Sequence, residues 1–213
     1  MILSKIALNT KSISLIAIFA ALAIIVNAIR IPTFYLPGFF YSLYEIPILV
    51  TFIIYGFKIG FLVEIIHIIG QEIFFPLGPA GIVTYPMGLV VHLLMFSGIY
   101  LANTIIKRKN VSEKGEKKAL IYYTGFATAL RGALMPIIDY SILYNILLPI
   151  ALGRTIPETY ILALLPGFIL YNVTNALYAI PIAYLIAQKV SKQLKISPIY
   201  LPEVKMPPPN PKK

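Results

Sequence analysis

The chain of 213 residues has no cysteine and no tryptophan, only 2 histidines, and only 8 acidic residues. Without cysteine, neither disulfides nor thiolate metal sites are available. Two histidines, His67 and His92, are too few for a histidine-built metal centre. Glu64-Ile65-Ile66-His67 has the carboxylate–histidine spacing of helical di-iron sites, but those need the motif twice plus further carboxylates, and it occurs once. No GxxxxGK[ST] phosphate loop is present, so the chain does not hydrolyse nucleotides by itself. Gly-x-Ser-x-Gly and His-Glu-x-x-His are missing as well. Charge of either sign is scarce, at 12% of residues, against roughly a quarter in a soluble domain.

What fills the chain is apolar: 59% of residues are hydrophobic and mean hydropathy is +0.84. Too little polar surface exists to coat a water-soluble globule, which predicts one compact integral-membrane domain. A net charge of +10 would suit nucleic acid, but the basic residues sit in short segments between apolar runs or at the chain's end. That placement points to a lipid bilayer and not to nucleic acid. The N-terminal apolar stretch follows a positive start with no small-residue cleavage site, so it reads as a first transmembrane helix.

A helix needs about 20 apolar residues to cross a core of ~30 Å. Six spans are predicted, near Ser12–Ile29, Phe39–Tyr55, Ile59–Phe75, Gly81–Ile106, Ala119–Leu148 and Tyr160–Ala187. Pro136 is expected to kink or break the fifth. Six spans put both termini on one side. That side carries Lys5, Lys11, Lys58, the run from Lys107 to Lys118, and every lysine from Lys189 onward, whereas the other has only Arg30 and Arg154. Positive loops stay in the cytoplasm, so both termini are expected there. The chain then divides into a cytoplasmic N-terminus (1–11), a six-helix transmembrane substrate-binding domain (12–190) and a Pro/Lys-rich cytoplasmic tail (191–213). After Ser197 the prolines predict an extended segment.

Within 41-YSLYEIPILVTFIIYGFKIGFLVEII-66, Lys58 falls at the cytoplasmic turn of a tight helical hairpin, with Gly56 and Gly60 freeing the backbone to reverse. Glu45-Ile46-Pro47 lies near the outer face, where a proline and an acid suit a first helical turn. Glu45 therefore reads either as capping or as a ligand-binding group. Ionisable groups buried in lipid are costly and mark functional sites. Glu45, Glu72, Asp139 and Glu158 lie in the outer half, with Asn172 and Asn175 near mid-depth, accompanied by Tyr35, Tyr41, Tyr44, Tyr85, Tyr140, Tyr144 and Tyr171. This distribution predicts a polar, aromatic-lined cavity opening outward. The tyrosines equally suit an interfacial belt, and the asparagine pair equally suits helix–helix glue. Arg131 and Asp139 share a helix face as partners for each other or for other buried groups, and His92 reads as a hydrogen-bonded packing residue. The predicted substrate-binding set is Tyr41, Tyr44, Glu45, Glu72, Tyr85, Asp139, Asn172 and Asn175.

In the first helix, Ala17, Ala21 and Ala28 fall within about 40° of one another on a helical wheel, with Ala20 and Ala23 to either side. Small residues let another helix approach closely, either within the bundle or on a separate membrane subunit.

These residues carry a family likeness. From about Ser12 to Ala187 the chain resembles the substrate-binding (S) components of energy-coupling-factor (ECF) vitamin transporters, most closely the riboflavin-type branch. Ala17-Ile18-Phe19-Ala20-Ala21 is similar to the family's docking helix. Glu45-Ile46-Pro47 with Gly56 and Gly60 resembles its acid–apolar–proline, helix, Gly-x-x-x-Gly pattern. Ile106-Lys107-Arg108-Lys109 resembles the end of its fourth helix, and Asn172 with Asn175 its polar pair on the last, although the family commonly has lysine second. The resemblance implies a six-helix bundle that binds a vitamin, riboflavin or another flavin first, from outside. It implies no catalysis and no bound cofactor: a transmembrane coupling subunit and two cytoplasmic ATPase subunits would supply energy, ATP being hydrolysed only there. The loop from Arg30 to Tyr44 would be a lid, with Phe34, Tyr35, Phe39, Tyr41 or Tyr44 stacking on a planar ligand. Two rivals remain. A small membrane enzyme acting on a lipid or isoprenoid would show metal-dependent turnover, and a stand-alone secondary transporter would work without a coupling subunit.

Overall fold

A computed structural model of the protein describes residues 10–108 and 115–200. Helix α1 (Thr10–Asn27) leads into a ribbon of β1 (Arg30–Pro32) and β2 (Phe40–Ser42). Then follow α2 (Glu45–Tyr55), α3 (Phe57–Phe74), a 3-10 turn (Gly78–Ala80) and α4 (Gly81–Arg108). Helix α5 (Gly115–Ile138) runs on as a π-helical stretch (Asp139–Leu147) into the short α6 (Leu148–Leu152), and α7 (Glu158–Leu194) closes the bundle. Lys5, Lys109, Lys114 and the lysines from Lys205 lie outside the described residues.

Among the described residues, four stretches are long and apolar enough to cross a membrane: Thr10–Asn27, Gly78–Arg108, Lys117–Leu152 and Glu158–Leu194. The predicted second and third spans are different in kind. Helix α2 has 11 residues, about 16 Å at ~1.5 Å per residue, well short of a ~30 Å core. Helix α3 has 18 but carries Lys58, Glu64 and Glu72. Every residue of α2 from Glu45 to Ile54 is buried, because α1, α3 and α7 pack around it. An all-round apolar helix such as this belongs in a core.

The expected helix at Phe39–Tyr44 is instead a ribbon strand and a turn. Pro32 and Pro37 cannot donate to a helix, and Gly38 takes a left-handed φ of 81°. The strands pair antiparallel, Arg30 opposite Ser42 and Ile31 opposite Tyr41. Of the two hairpin glycines only Gly56 serves the turn, with φ 82°. Gly60 is helical and lets α3 approach α2: a Cβ there would lie 2.9 Å from that of Phe52.

Pro136 does not break the fifth span. The α-helix passes through it and widens to i→i+5 bonding at Asp139. Helix α7 runs through Pro166 and Pro181, 37 residues in all, longer than predicted. The tail departs from its expected form at its start. The Ile199 and Tyr200 N–H groups donate to the carbonyls of Ile54 (3.2 Å) and Ile53 (3.1 Å), which the end of α2 leaves without helical partners. The Tyr200 ring stacks on Phe52 at 4.7 Å, and Phe52 on Phe96 at 4.0 Å.

Helices α4 and α5 touch backbone to backbone, since a Cβ on Gly98 would sit 2.4 Å from Ala127 Cα. Gly98→Ala is expected to destabilise the protein by about 1–3 kcal/mol through overpacking. Gly125→Ala on α5, with nothing within 4 Å of the new atom, should be neutral or gain up to ~1 kcal/mol from helix propensity. Thermal unfolding in detergent compares the two.

Candidate functional site: a polar-floored cavity

The site is built on a charge inside the bundle. Arg131, on α5, is 1% exposed. Its Nη1 donates to Glu45 Oε2 at 2.6 Å and its Nη2 to Glu45 Oε1 at 3.0 Å, a two-pronged pairing across 86 residues of sequence. Its Nε donates to Asn172 Oδ1 at 3.0 Å, and Met95 Sδ lies 3.4 Å from Nη1. Parallel N–H···O bonds between a guanidinium and a carboxylate are among the strongest and most directional available to side chains. Glu45 opens α2, so its backbone is positioned by the helix start while its carboxylate turns inward.

Above this pair is a cavity of about 280 Å³. One wall is Asn27, Arg30 and the ribbon residues Phe39, Phe40 and Ser42; a second is Tyr85, Met87, Gly88 and Val91 of α4. A third is Met135, Asp139, Leu143, Tyr144 and Leu148, which the π-helical stretch turns to one side, and α7 adds Tyr171 and Asn172. The ribbon is fastened over the space. Tyr171 OH donates to the Phe40 carbonyl (2.9 Å), Tyr178 OH to that of Ser42 (2.8 Å), and the Tyr41 and Thr174 hydroxyls share a hydrogen bond (2.7 Å).

Of the predicted set, Tyr44, Glu45, Tyr85, Asp139 and Asn172 line the cavity; Tyr41, Glu72 and Asn175 do not. Tyr41 is held on α7 and stacked with Tyr171 at 5.6 Å. Glu72 lies against the first residue of α4, where a Cβ on Gly81 would meet its Oε2 at 2.6 Å, a position at which the helix dipole favours an acid. Asn175 is occupied with the Tyr171 carbonyl (2.8 Å) and the Tyr178 hydroxyl (2.7 Å). Phe34, a predicted stacking residue, is 98% exposed. Sequence reasoning missed Gln71, Asn27 and Arg30 as lining groups. It offered Asp139, or another buried group, as the partner of Arg131, whereas the guanidinium pairs with Glu45.

Beneath Tyr44 is a second buried polar cluster. Glu64 Oε2 is 3.2 Å from His67 Nδ1 and Oε1 is 3.1 Å from His92 Nδ1, while His92 Nδ1 donates to the Gly88 carbonyl at 2.9 Å. Tyr44 stacks on His67 at 4.4 Å. Among the described residues no three His, Cys, Asp or Glu side chains are arranged to hold a metal ion. The cluster fixes the slope of the Tyr44 ring, one panel of the cavity.

Ala17 and Ala21 on α1, and Ala28 in the turn just after it, are exposed, whereas Ala20 and Ala23 are buried. No other described residue buries that face.

Compared by structure, the chain is similar to the S component of a bacterial ECF transporter, with a TM-score of 0.58 over 87% of this chain and 98% of that one. The fold is that of an S component. Identity is 20%, so the likeness is one of fold. No family model matches the sequence, and no curated protein does. In this S-component fold, the cavity lies between the ribbon and the Arg131–Glu45 pair.

Arg131→Met strands a buried carboxylate and is expected to cost about 3–5 kcal/mol. Adding Glu45→Met should recover most of that loss, because an apolar pair of similar volume is often neutral or stabilising. Unfolding midpoints of the two variants check the order.

Proposed function

We propose that this chain is the substrate-binding and translocating subunit of an ECF-type importer, embedded in the cell membrane. The observation that carries this reading is an S-component fold enclosing a cavity lined by aromatic rings with a few convergent polar groups, the make-up of a small-molecule site. The ligand is a vitamin or related small molecule, and a flavin is the first candidate, since Phe39, Tyr44 and Tyr171 provide faces for a planar ring. Tyr44, Glu45, Tyr85, Asp139 and Asn172 are the contact residues we assign to it; Tyr41 acts by tying the ribbon to α7, and Asn175 by bonding Tyr171 and Tyr178 within α7. The ribbon is the lid.

In this reading the bundle crosses the membrane six times, the second crossing made by Phe39–Tyr44 together with the short buried α2 and the third by α3, and both termini face the cytoplasm. Lys58 and the lysine-rich segments that begin at Lys107 and Lys189 support that orientation. The chain has no catalytic activity of its own. A transmembrane coupling subunit docks on Ala17, Ala21 and Ala28, and two cytoplasmic ATPase subunits hydrolyse ATP. Exposure of that alanine face supports the docking role, because close approach of small residues is how helices associate in lipid.

Two measurements test the reading. Purified protein titrated with flavins and a broad vitamin panel is expected to show one saturable ligand, and a panel without any would count heavily against it. Ala21→Leu should leave ligand affinity unchanged yet abolish uptake with a reconstituted coupling module; wild-type uptake would remove the alanine face from the mechanism.

A further inference from the structure

Three ionisable side chains take no part in lining the cavity and are closed off from solvent. Glu64 and His67 stand one turn apart on α3 and His92 on α4, and all three are fully buried. Ionisable groups inside an apolar medium are costly unless their charges cancel. Arg131 and Glu45 meet that demand as a neutral pair. Glu64 has only imidazoles for ion pairs: His67 Nδ1 lies 3.2 Å from its Oε2 and His92 Nδ1 lies 3.1 Å from its Oε1. Glycine leaves the carboxylate room against α4, since a Cβ on Gly88 would sit 3.3 Å from Oε1.

The hydrogen bonds fix where protons stand. A carbonyl oxygen only accepts, so the 2.9 Å bond to the Gly88 carbonyl puts a hydrogen on His92 Nδ1. His67 Nδ1 and Glu64 Oε2 share a second hydrogen bond. Glu64 Oε1 and the Nε2 atoms of both rings have no hydrogen-bond partner. With two neutral imidazoles and an ionised carboxylate, the cluster would carry one uncompensated negative charge away from water, the costliest arrangement available to it. One further proton makes it neutral. Free imidazole, at a pKa of about 6.5, is more basic than a free glutamate carboxyl at about 4.3, so that proton belongs on a ring.

Tyr44 joins the cluster to the cavity. It lines that space, and its ring stacks on His67 at 4.4 Å with 21° between the planes, 5.9 Å from His92. An aromatic face attracts a cation. The other ionisable groups acting on this corner are Glu45 of α2 on His92, and Arg131 of α5 and Tyr171 of α7 on Tyr44. Arg131 and Glu45 cancel each other, so neither neutralises Glu64.

We infer that Glu64, His67 and His92 form a proton-binding site, one carboxylate and one imidazolium beside a neutral imidazole, set against the back of the Tyr44 panel. The site goes beyond the transport reading and does not depend on it. Its proton keeps the charge behind that panel at zero; loss of the proton would put a net negative charge there.

The two histidines are the only ones in the chain, so each is its own probe. Full-length protein with nitrogen-15 histidine, purified on a histidine-free handle and placed in lipid nanodiscs, is measured by NMR at about pH 7.5, where imidazolium and the neutral tautomers differ in nitrogen shift. The two rings together are expected to carry one proton more than two neutral imidazoles. Glu64→Gln should release it and leave both rings neutral. In His67→Gln and in His92→Gln the remaining ring, now the sole partner of Glu64, should be the imidazolium. Two neutral rings or two imidazoliums in the wild type overturn the inference. So does a ring that stays charged in Glu64→Gln, or a neutral remaining ring in either histidine variant.

Discussion

A single guanidinium organises the interior. Arg131 comes from the middle of α5, its carboxylate partner from the first residue of α2, and its amide partner from α7. In an apolar medium an unpaired charge is far more costly than in water, so these three helices can settle only where all its partners meet. Packing then follows: Gly60 lets α3 close on α2 and Gly98 lets α4 close on α5, and α2 is sunk among its neighbours. The same demand leaves a neutral floor beneath the cavity.

The roof and sides are built by a different chemistry. Three tyrosine and threonine side chains of α7 hold the ribbon through its carbonyls and the Tyr41 hydroxyl, and Asn27 of α1 holds it through Ser42 and Arg30. Tyr44 links the two buried polar systems: it precedes Glu45 in sequence and lies over His67 and near His92. A shift of that ring would be felt by both.

Legibility in the sequence follows physical range. Long apolar runs are set by local composition, so α1, α4, α5 and α7 were readable, and the scarcity of acids made Glu45 and Asp139 conspicuous. The pairing of Arg131 with Glu45 spans 86 positions and has no local trace. Asn172 and Asn175 share a helix face, and spacing alone did not distinguish the one on the cavity from the one bonded to Tyr178. The ribbon was hidden because its strands have three residues each: β1 fell in the predicted outer loop, and the apolar residues of β2 passed for the start of a helix. The shift to π-helix depends on tertiary packing around Pro136 and Asp139, and the docking of Ile199 and Tyr200 on what α2 leaves unsatisfied.

That docking joins distant parts of the polypeptide. The last turn of α2 is completed by amides that arrive after α7 has crossed the whole bundle, and the side chain of Ile199 occupies the space over Gly56. The α2–α3 hairpin therefore obtains these partners only once Ile199 and Tyr200 have been made. Shortened versions ending at Leu194 would keep every helix and still leave that early corner unfinished, so a handle for purification belongs beyond residue 200 or at the opposite terminus.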